Sequence, residues 1–466
     1  MKEINTVGVV GMGYVGIPAA MLFADSPYYK KVYGFQRNSK NSGYKIEMLN
    51  DGRNPLKGDE PGLSELIRKV IHDKKFICTS DFSEIKECDA VTISIQTPFE
   101  NPQDLIPNFE ALFSGLQEIG KNLQRESLIV LESTVTPGTT EGVAKEILEN
   151  ESGLIAGKDF DLAHAPERVM VGHLIRNIQE YDRIVGGINE TSTNRAAALY
   201  KPLLTKGKII KMNATAAEVT KTAENTFRDL QIAAINQLAL YCEAMGINVY
   251  DVRNGINSLK GAGVSREILM PGAGVGGHCL TKDTYHLERG VKISGGLDFP
   301  LCTESLFTVA RDINDFMPTH MFRLTKDGLK RAGIDSYRSK IAILGWAFIA
   351  DSDDNRNTPS EKYRDLMVQA GCNVAIHDPW VDSHYNAAID HDLNRVLNEA
   401  DAVCIMTGHL AYKNLTPDKI KNAINKNTRH VIIDGRNVID PDTFINEGFI
   451  YKGIGRGDKN NHPIKG

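Results

Sequence analysis

Cysteine is scarce in this chain and is not spaced for disulfides or zinc. The 466 residues include seven cysteines, an odd number, and no two of them form a CxxC pair. Disulfide scaffolds and structural zinc sites need paired or closely spaced cysteines, so both classes are disfavoured. The histidines show no HExxH spacing, and we predict no metal site. Scattered, unpaired thiols are typical of the reducing cytoplasm, which we predict as the location.

The chain also lacks an excess of positive charge and a long apolar run. Lys and Arg number 54 against 59 Asp and Glu, which gives a formal net charge of −5. This balance offers no basic surface for nucleic acid and no polybasic patch for a membrane, so neither partner is predicted. The uncharged stretch at 8–24 is broken by four glycines and Pro18. It therefore predicts neither a signal peptide nor a membrane span.

The chain does have the length and composition of a multidomain globular protein. Residues are 41% hydrophobic and 24% charged, and 466 of them exceed what one core usually supports. In the N-terminal part, apolar runs alternate with helical stretches, and strands are predicted at 6–10, 31–35, 90–95, 128–131 and 183–185. This alternation indicates a parallel sheet with crossover helices.

A helical segment follows, and then the strand–helix pattern starts again. Residues 214–245 contain neither Gly nor Pro and are followed by Gly246, which predicts one helix about 48 Å long at 1.5 Å per residue. After Pro318, further strands are predicted at 340–344, 373–377, 402–406 and 430–433. The predicted fold class is α/β, with two doubly wound Rossmann-like domains joined by a long central helix and helical domain. The predicted domain boundaries are 1–210, 211–320 and 321–466.

Gly11, Gly13 and Gly16 form a GxGxxG motif between the first predicted strand and the first predicted helix. Such glycines allow a tight turn, close approach of a pyrophosphate, and helix–strand packing, while the helix N-terminus attracts phosphates. Gln36 stands where an acidic residue would bond the ribose hydroxyls, and Arg37 follows it. Gln36 can still bond a ribose, whereas Arg37 could pair with a 2′-phosphate. NAD is therefore predicted, with NADP left open.

A second glycine-rich segment precedes a single cysteine. Four glycines within 272–277 precede Cys279, and Lys282 and Asp283 follow it within four residues. Glycine lets the backbone approach a ligand closely. A cysteine presented there beside charged residues has the setting of a thiolate nucleophile. The competing interpretation is an inert thiol in a glycine-rich turn.

Lys221, Asn225 and Arg228 share one face of the long predicted helix. A solvated charged face is the ordinary interpretation, and Arg228 could simply pair with Glu224, four residues back. A buried lysine can also shuttle protons, however, and an Asn amide can donate to an oxyanion. Glu167 comes just after a predicted strand, in an Ala-Pro-Glu-Arg segment that alone would be a surface turn.

Taken in order, these motifs resemble the UDP-glucose/GDP-mannose dehydrogenase family over essentially the whole chain. They are GxGYVG at 11–16, Thr97-Pro98, Ser133-Thr134, Ala165-Pro-Glu167, Lys221-x-x-x-Asn225, the GxGVGGxC loop ending at Cys279, Lys282-Asp283, Asp353-Asp354-x-Arg356 and Asp434-Gly-Arg436. The run Glu224-Asn-Thr-Phe-Arg-Asp229 and the Gly-Gly-His before Cys279 resemble the branch that acts on UDP-N-acetylhexosamines. The chain departs from the family at Gln36, Thr281 and Ile349, where Asp, Pro and Lys are common.

The resemblance implies an NAD-dependent, four-electron nucleotide-sugar 6-dehydrogenase. It would oxidise C6 of UDP-N-acetylhexosamine (ManNAc, GlcNAc or GalNAc) to the uronic acid, for a polysaccharide pathway. The first hydride transfer makes an aldehyde, Cys279 captures it as a thiohemiacetal, and the second transfer gives a thioester that water hydrolyses. The implied partners are the UDP-sugar and a second copy of the chain, in a homodimer or higher homo-oligomer.

The resemblance also assigns roles to individual residues. Catalysis would rest on Cys279, on Lys221 and Asp283 for the proton and water, on Asn225 for oxyanions, and on Glu167 and Thr134 for hydrolysis. Cofactor binding would use Gly11, Gly13, Tyr14, Val15, Gly16, Gln36, Arg37, Thr97, Thr134 and Lys282. Substrate binding would use Glu167, Arg168, Lys221, Asn225, Arg228, Arg266, Gly276, Phe348, Arg356 and Arg436, the two last having guanidinium groups suited to a diphosphate.

Three other functions are left open. One is a UDP-glucose 6-dehydrogenase, and another is a single-step hydroxyacid dehydrogenase, which would need neither Cys279 nor a third nucleotide-binding-like unit. The last is an inactive nucleotide-sugar-binding protein, against which the combination of Cys279, Lys221 and Asp283 speaks. The NADH formed per substrate separates these classes, because a four-electron enzyme makes two, a hydroxyacid enzyme one and a binding protein none.

Overall fold

The structure is a computed structural model that describes residues 3–56, 60–101, 106–170, 172–259, 267–295, 305–424 and 430–461. The chain divides into two compact units, one formed by Met1–Glu224 with Lys282–Asp298 and the other by Asn225–Thr281 with Phe299–Gly466. The predicted substrate residue Arg266 lies outside the described residues. No helix in the described part of the chain is both long and apolar enough to cross a membrane.

The first unit is built on an eight-stranded sheet. The strands of this unit are β1 (Thr6–Val10), β2 (Lys31–Phe35), β3 (Phe76–Thr79), β4 (Ala90–Ile93), a small hairpin β5 (Phe99–Asn101) and β6 (Ile106–Pro107), then β7 (Leu128–Leu131), β8 (Asp161–His164), β9 (Arg183–Gly187) and β10 (Ile209–Asn213). Their order in the sheet is β10-β9-β8-β7-β4-β1-β2-β3. In the six neighbouring strands β8-β7-β4-β1-β2-β3 of this sheet, every adjacent pair is parallel, which confirms the prediction for this part of the sheet.

The prediction was wrong for the strand at 183–185, because β9 runs antiparallel to β8. Side chains alternate between the two faces of a strand in either direction, so a short apolar run does not specify which way the strand points. Both faces of the sheet are apolar. Val7 and Val9 face one buried cluster, whereas Val10 and Phe35 face the other. Burial on both faces is typical of a sheet covered by crossover helices.

The helices of the first unit lie between these strands. They are α1 (Gly16–Asp25), α2 (Tyr44–Asn50), α3 (Leu63–His72), α4 (Glu110–Asn122), α5 (Lys145–Ser152), α6 (Leu174–Glu180) and α7 (Glu190–Tyr200), with short turns of other helix types at Phe82–Glu87, Thr140–Ala144 and Lys201–Leu203. The uncharged stretch at 8–24 covers most of β1, the glycine turn and α1. Nearly every residue of α1 is buried, which explains why this segment has no charge.

The predicted long helix is confirmed as one element, α8 (Ala214–Ala244), which has 31 residues. At 1.5 Å per residue it is about 46 Å long. The side chain of Asn213 accepts a hydrogen bond from the Ala216 amide at 2.7 Å, which caps the first turn. Gly246 ends the helix with a positive φ of 70°, a conformation that favours glycine. The boundary between the two compact units falls within α8, after Glu224.

Three further helices follow, α9 (Val249–Asn257), α10 (Asp283–Ile293) and α11 (Leu306–Ala332). Of these, α10 belongs to the first unit and the others to the second. The expected restart of the pattern after Pro318 is delayed, because Pro318 lies buried inside α11 and the helix continues to Ala332. Proline removes one helical hydrogen bond, and tertiary packing can offset that loss. The predicted domain boundary at 320 therefore falls inside a helix.

The C-terminal part forms a second, wholly parallel sheet. Its strands are β11 (Lys340–Leu344), β12 (Asn373–His377), β13 (Ile389–Asp390), β14 (Ala402–Ile405), β15 (Val431–Asp434) and β16 (Ile450–Gly453), and its helices are α12 (Pro359–Gln369), α13 (Leu393–Leu397), α14 (Leu410–Lys413), α15 (Pro417–Ala423), α16 (Pro441–Asn446) and α17 (Gly457–Asn460). The order β13-β12-β11-β14-β15-β16 is that of a dinucleotide-binding fold, with its ligand crevice where β11 meets β14. The second doubly wound domain is confirmed.

Candidate active site

The glycine motif after β1 forms a turn whose three glycines have separate roles. Gly11 has a φ of 101°, and a Cβ added there would lie 2.7 Å from the Ser94 carbonyl oxygen. A Cβ at Gly16 would lie 2.0 Å from the Gly11 oxygen, so this glycine is needed for helix–strand packing. A Cβ added at Gly13 would have no atom of a described residue within 4 Å, which leaves room for a pyrophosphate. Tyr14 and Val15 lie half-buried in the same turn.

Gln36 supports this turn from the end of β2. Its Oε1 atom accepts a hydrogen bond from the Met12 amide at 3.1 Å, and its Nε2 donates to Ser42 Oγ at 2.9 Å. Lys45 on α2 donates to the Met12 carbonyl oxygen at 2.9 Å, and burial lowers the pKa of this lysine. Sequence analysis did not predict Lys45, since α2 carries no motif. Arg37 is exposed.

Thr97 and Thr134 meet beside a buried histidine. The Thr97 hydroxyl donates to the Thr134 carbonyl oxygen at 2.5 Å. From α10, His286 places Nε2 at 3.4 Å from the Thr97 carbonyl oxygen and Nδ1 at 3.2 Å from Thr136 Oγ1. These contacts fit a neutral ring protonated on Nε2. Burial, with Lys282 nearby, holds the pKa of His286 well below its ordinary value. No motif pointed to His286.

Glu167 and Lys221 form a buried ion pair in the first unit. The Lys221 ammonium lies 3.3 Å from Glu167 Oε1, and the Val169 amide donates to Glu167 Oε2 at 2.9 Å. Burial alone would raise the pKa of Glu167, but the charge of Lys221 and the amide hydrogen bond hold it below its usual range. The structure thus brings together two residues that sequence analysis placed in separate motifs.

Glu218, one turn before Lys221 on α8, is a site residue that sequence analysis missed. Its carboxylate accepts hydrogen bonds from the Gly138 amide at 2.6 Å, the Thr140 amide at 2.8 Å and Thr140 Oγ1 at 2.6 Å. Burial raises the pKa of Glu218 to about 7, against these three hydrogen bonds. Glu218 therefore anchors the segment that follows Thr134 to the helix that carries Lys221.

Arg168 and Arg228 have different environments. The Arg168 guanidinium makes two hydrogen bonds to Glu224, at 2.8 and 2.7 Å. Arg228 is exposed and makes no ion pair or hydrogen bond with any other described residue. The alternative in which Arg228 pairs with Glu224 is therefore wrong. Half-buried Asn225 lies one turn beyond Lys221 on the same helix.

Lys282 and Asp283 begin α10 in the first unit. The Lys282 ammonium lies 3.2 Å from Asp283 Oδ1. The Asp283 side chain is fully buried in the first turn of the helix. The partial positive charge of a helix N-terminus stabilises a carboxylate at that position.

The glycines before Cys279 make room for side chains of the second sheet's loops. A Cβ at Gly276 would lie 2.5 Å from Phe348 Cβ, and one at Gly277 would lie 2.8 Å from Phe348 Cζ. The Gly277 amide donates to the Arg356 carbonyl oxygen at 2.8 Å. At Gly272, a Cβ would lie 2.5 Å from Arg436 Nη1. The predicted substrate residues Gly276, Phe348, Arg356 and Arg436 are therefore brought to the Cys279 loop.

Side-chain contacts hold the loop and orient its two arginines. Thr281 Oγ1 donates to the Gly277 carbonyl oxygen at 2.5 Å and accepts from Asn357 Nδ2 at 3.2 Å. A proline at this position would have no hydroxyl group with which to make these bonds. Arg356 donates to Asp354 Oδ1 at 2.7 Å. Arg436 donates to the Met406 carbonyl oxygen at 3.0 Å, and burial lowers its pKa.

Cys279 differs from the other described cysteines in its exposure. It is half-buried, whereas Cys78, Cys88, Cys242, Cys372 and Cys404 are buried. Burial raises the pKa of Cys78, Cys88 and Cys404 to about 12, so these thiols are inert at neutral pH. Cys279 is the described thiol that a substrate can reach without unfolding.

Known proteins resemble this chain along almost its whole length. Family models described as the NAD binding, central and UDP binding domains of the UDP-glucose/GDP-mannose dehydrogenase family match residues 5–204, 215–315 and 342–441. The UDP-N-acetyl-D-mannosamine dehydrogenase of Pyrococcus horikoshii is 36% identical, over 97% of this chain and 99% of its own.

Two other relatives have a different sugar in their names. The NDP-N-acetyl-D-galactosaminuronic acid dehydrogenase of Ralstonia nicotianae is 30% identical, over 92% of this chain and 96% of its own. The crystal structure of the enzyme of that name from Methanosarcina mazei Go1 is 64% identical. It superimposes with a TM-score of 0.91 and covers 99% of this chain and 97% of its own.

Proposed function

The chain belongs to the UDP-glucose/GDP-mannose dehydrogenase family, and on that premise we propose that it oxidises C6 of a UDP-N-acetylhexosamine to the uronic acid in two NAD-dependent steps. The observation that carries this proposal is half-buried Cys279 on a glycine loop packed against Phe348. The relatives at 36% and 64% identity have N-acetylated amino sugars in their names, N-acetyl-D-mannosamine and N-acetyl-D-galactosaminuronic acid. UDP-glucose is not favoured by these names.

NAD is the cofactor, and when bound it would supply the hydride acceptor for both oxidations. The residues that would hold it are those of the glycine turn, where Gly13 leaves open space and the N-terminus of α1 follows. Gln36 and Lys45 keep the Met12 peptide in place. This arrangement fits a pyrophosphate bound to backbone amides.

Cys279 is proposed to hold the sugar covalently between the two oxidations. Its thiolate adds to the C6 aldehyde, a C–S bond forms, and the carbonyl oxygen takes a proton to give a thiohemiacetal. Loss of that proton and of a hydride from C6 leaves a thioester. Water then adds to the thioester carbonyl, the C–S bond breaks, and the thiol and a carboxylate result.

The remaining roles are those that the family resemblance implies, and the charge and burial of the residues fit them. Lys221, paired with Glu167, would handle the alcohol proton, and buried Asp283 would activate water. The Asn225 amide would donate to the developing oxyanion. Thr134 and Glu167 would hold the water for hydrolysis. Arg356 and Arg436 would face the diphosphate, while Arg168 and Arg228 would serve the sugar.

We also propose a separate function for each of the three predicted domains. Residues 1–210 would bind NAD, 211–320 would carry the cysteine loop and the contact between subunits, and 321–466 would bind UDP. The described cysteines are free thiols, which fits work in the cytoplasm, where the uronic acid would enter polysaccharide synthesis.

We propose that the enzyme is a homodimer that pairs through α8. Beyond Asn225, apolar residues recur on this helix every three or four positions at Phe227, Leu230, Ala234, Leu238 and Tyr241, and Met245 continues the spacing just after the helix ends. Phe227, Tyr241 and Met245 are each more than half exposed. The ring of Phe227 also packs edge-to-face against the ring of Phe307, with centroids 5.7 Å apart. Leu306, which precedes Phe307 in the sequence, is exposed. This spacing gives a straight stripe that the same stripe of a second copy can cover by two-fold symmetry.

Replacing Cys279 tests the nucleophile. Cys279→Ser should abolish uronate formation and leave NAD binding intact, whereas Cys242→Ala, which removes a buried thiol, should keep near wild-type turnover. Wild-type protein should form two NADH per sugar from one or more of UDP-ManNAc, UDP-GlcNAc and UDP-GalNAc. Normal uronate formation by Cys279→Ser, or a higher kcat/KM for UDP-glucose, would contradict the proposal.

A further inference from the structure

A buried polar network lies in the second unit, where the proposed chemistry assigns it no role. Its members are Asp229 and Asn236 on α8 and Arg311 and Asn314 on α11, each at most 1% exposed. Arg311 Nη1 lies 2.5 Å from Asp229 Oδ1. Asn314 Nδ2 donates to the same oxygen at 2.8 Å, and its own Oδ1 accepts from Asn236 Nδ2 at 2.9 Å.

The network reaches both ends of the Cys279 loop. At the start of the loop, the Gly272 amide donates to Asn236 Oδ1 at 2.9 Å. At the other end, Arg311 Nη1 lies 3.4 Å from the carbonyl oxygen of Leu280, the residue after Cys279. That contact is long, but its donor is charged, and charged donors make the stronger hydrogen bonds. The backbone on either side of the thiol is thus tied to one connected set of side chains.

Packing α8 against α11 would not by itself require a buried network of charged and polar side chains. Apolar side chains of similar volume can pack two helices together at least as stably as a buried ion pair, because removing charges from water is costly. Hydrogen-bonded groups, in contrast, hold their partners at defined distances and angles. A polar network that ends on two backbone groups of a loop therefore specifies where that loop lies.

Among its described contacts, Arg311 bonds two carboxylates through different nitrogens, and one of these nitrogens also reaches the loop. Its Nη1 contacts both Asp229 and the Leu280 carbonyl oxygen, whereas its Nη2 donates to Asp315 Oδ1 at 2.9 Å. The Asp315 side chain is 53% exposed. Asp229 thus fixes the nitrogen that reaches the loop, and Asp315 contacts the other nitrogen at the surface.

We infer that Asp229, acting through Arg311, is a positioning residue that fixes Cys279 for attack on the aldehyde. The inference rests on the proposed function of Cys279. It predicts that loosening the network slows capture of the aldehyde more than the first oxidation, because the first hydride transfer needs no thiol. Aldehyde should then accumulate and become available to a trapping reagent.

The test compares Asp229→Asn with Asp315→Asn in the full-length protein, with UDP-N-acetylhexosamine, NAD and semicarbazide as the aldehyde trap. Asp229→Asn should lower kcat for uronate formation at least 10-fold and keep the KM for NAD within twofold. The NADH formed per sugar consumed should fall from two towards one, and the trapped aldehyde should appear. Asp315→Asn should stay within twofold of wild type in rate and form two NADH per sugar.

A purely structural role would give a different result. It would lower the melting temperature and the fraction of protein that binds NAD, yet each active molecule would still form two NADH per sugar without trapped aldehyde. If Asp229→Asn folds, forms two NADH per sugar and makes uronate at the wild-type rate, the inference is overturned.

A second variant covers the case in which Asp229→Asn does not fold. Asn236→Ser removes the acceptor of the Gly272 amide without leaving a buried charge unpaired, and it should also yield trapped aldehyde. Two NADH per sugar at a wild-type rate from Asn236→Ser would overturn the inference.

Iodoacetamide treatment of wild-type protein separates the claim that Cys279 is the nucleophile from the claim that Asp229 positions it. Loss of uronate formation on alkylation of Cys279 supports the nucleophile independently of Asp229, whereas full activity after alkylation would overturn both.

Discussion

His164 ends β8 fully buried, and neither of its ring nitrogens has a hydrogen-bond partner among the described residues. Burial lowers the pKa of His164 to about 3, and the charges of Arg183 and Lys221 add to the effect. The folded protein therefore keeps this ring neutral at pH values where the unfolded chain, with an ordinary pKa of about 6.5, is protonated. The unfolded state binds more protons between these two values, so stability is full above pH 6.5 and falls as the pH falls towards 3.

Replacing His164 should make the protein more resistant to acid. Between pH 8 and pH 5 the wild type should lose about 2 kcal/mol of unfolding free energy through this residue alone. His164→Leu, which removes the titrating ring without breaking a hydrogen bond to a described residue, should lose correspondingly less. Urea unfolding of both proteins at pH 8 and pH 5 measures the difference. His72→Leu, at an exposed position, is the control, and equal pH slopes for His164→Leu and wild type would refute the assignment.

We propose that exposed Arg228 contacts the substituent at C2 of the sugar. Its guanidinium would donate to the N-acetyl carbonyl, a charge-assisted bond worth about 1.5–3 kcal/mol. Arg228→Met should lower kcat/KM for UDP-N-acetylhexosamine roughly 10- to 150-fold, since each 1.4 kcal/mol is about a factor of ten. The melting temperature should move little, because no described residue pairs with Arg228. Arg323→Met, another exposed arginine of the second unit, is the control. Unchanged kinetics with a clearly lowered melting temperature would show a structural role.

At the scale of the element, α8 presents different side chains on its different faces. Glu218 and Lys221 face the loops of the first unit, Asp229 and Asn236 face α11, and the apolar stripe faces outwards. Because successive helical residues turn by about 100°, one long helix can present different chemistry on each face.

The apolar stripe of α8 should determine self-association. Wild-type protein at micromolar concentration should sediment as a dimer, and the double variant Ala234→Arg with Tyr241→Asp should sediment as a monomer. Both positions are exposed, so the substitutions place charge where the second copy would bury it, which is costly. Lys330→Glu, at an exposed position of α11, controls for the change of charge. A monomeric wild type would contradict the proposed dimer.

At the scale of the whole molecule, two doubly wound sheets stand at opposite ends of the sequence, one matching an NAD binding domain and the other a UDP binding domain. A ligand stabilises the part of a protein that it binds. At 100 times its Kd that stabilisation is about 2.7 kcal/mol.

NAD and UDP should therefore protect different segments. In hydrogen exchange, NAD should slow exchange in peptides covering 11–16 and 34–38, at the ends of β1 and β2. UDP should slow exchange in peptides covering 345–348 and 406–409, where β11 and β14 end. Protection of the C-terminal peptides by NAD alone would reverse the assignment of the two domains.

The sequence by itself determined the parts of this protein that depend on local chemistry. The turn at Gly11–Gly16 was predictable because a positive φ and close packing of helix on strand need glycine. Helix α8 was predictable from 32 residues free of Gly and Pro. The half-buried cysteine was predictable from its glycine-rich surroundings, and the second sheet from its alternation of strands and helices.

Only the tertiary structure decided which distant groups meet. Glu218 and Thr140 are 78 positions apart, Asp229 and Arg311 are 82 apart, and His286 and Thr97 are 189 apart. The direction of β9 and the continuation of α11 through Pro318 likewise depend on packing partners elsewhere in the chain. Periodicity and motifs report a residue's own neighbours, whereas burial, pKa and hydrogen-bond partners arise from contacts that exist only once the chain has folded.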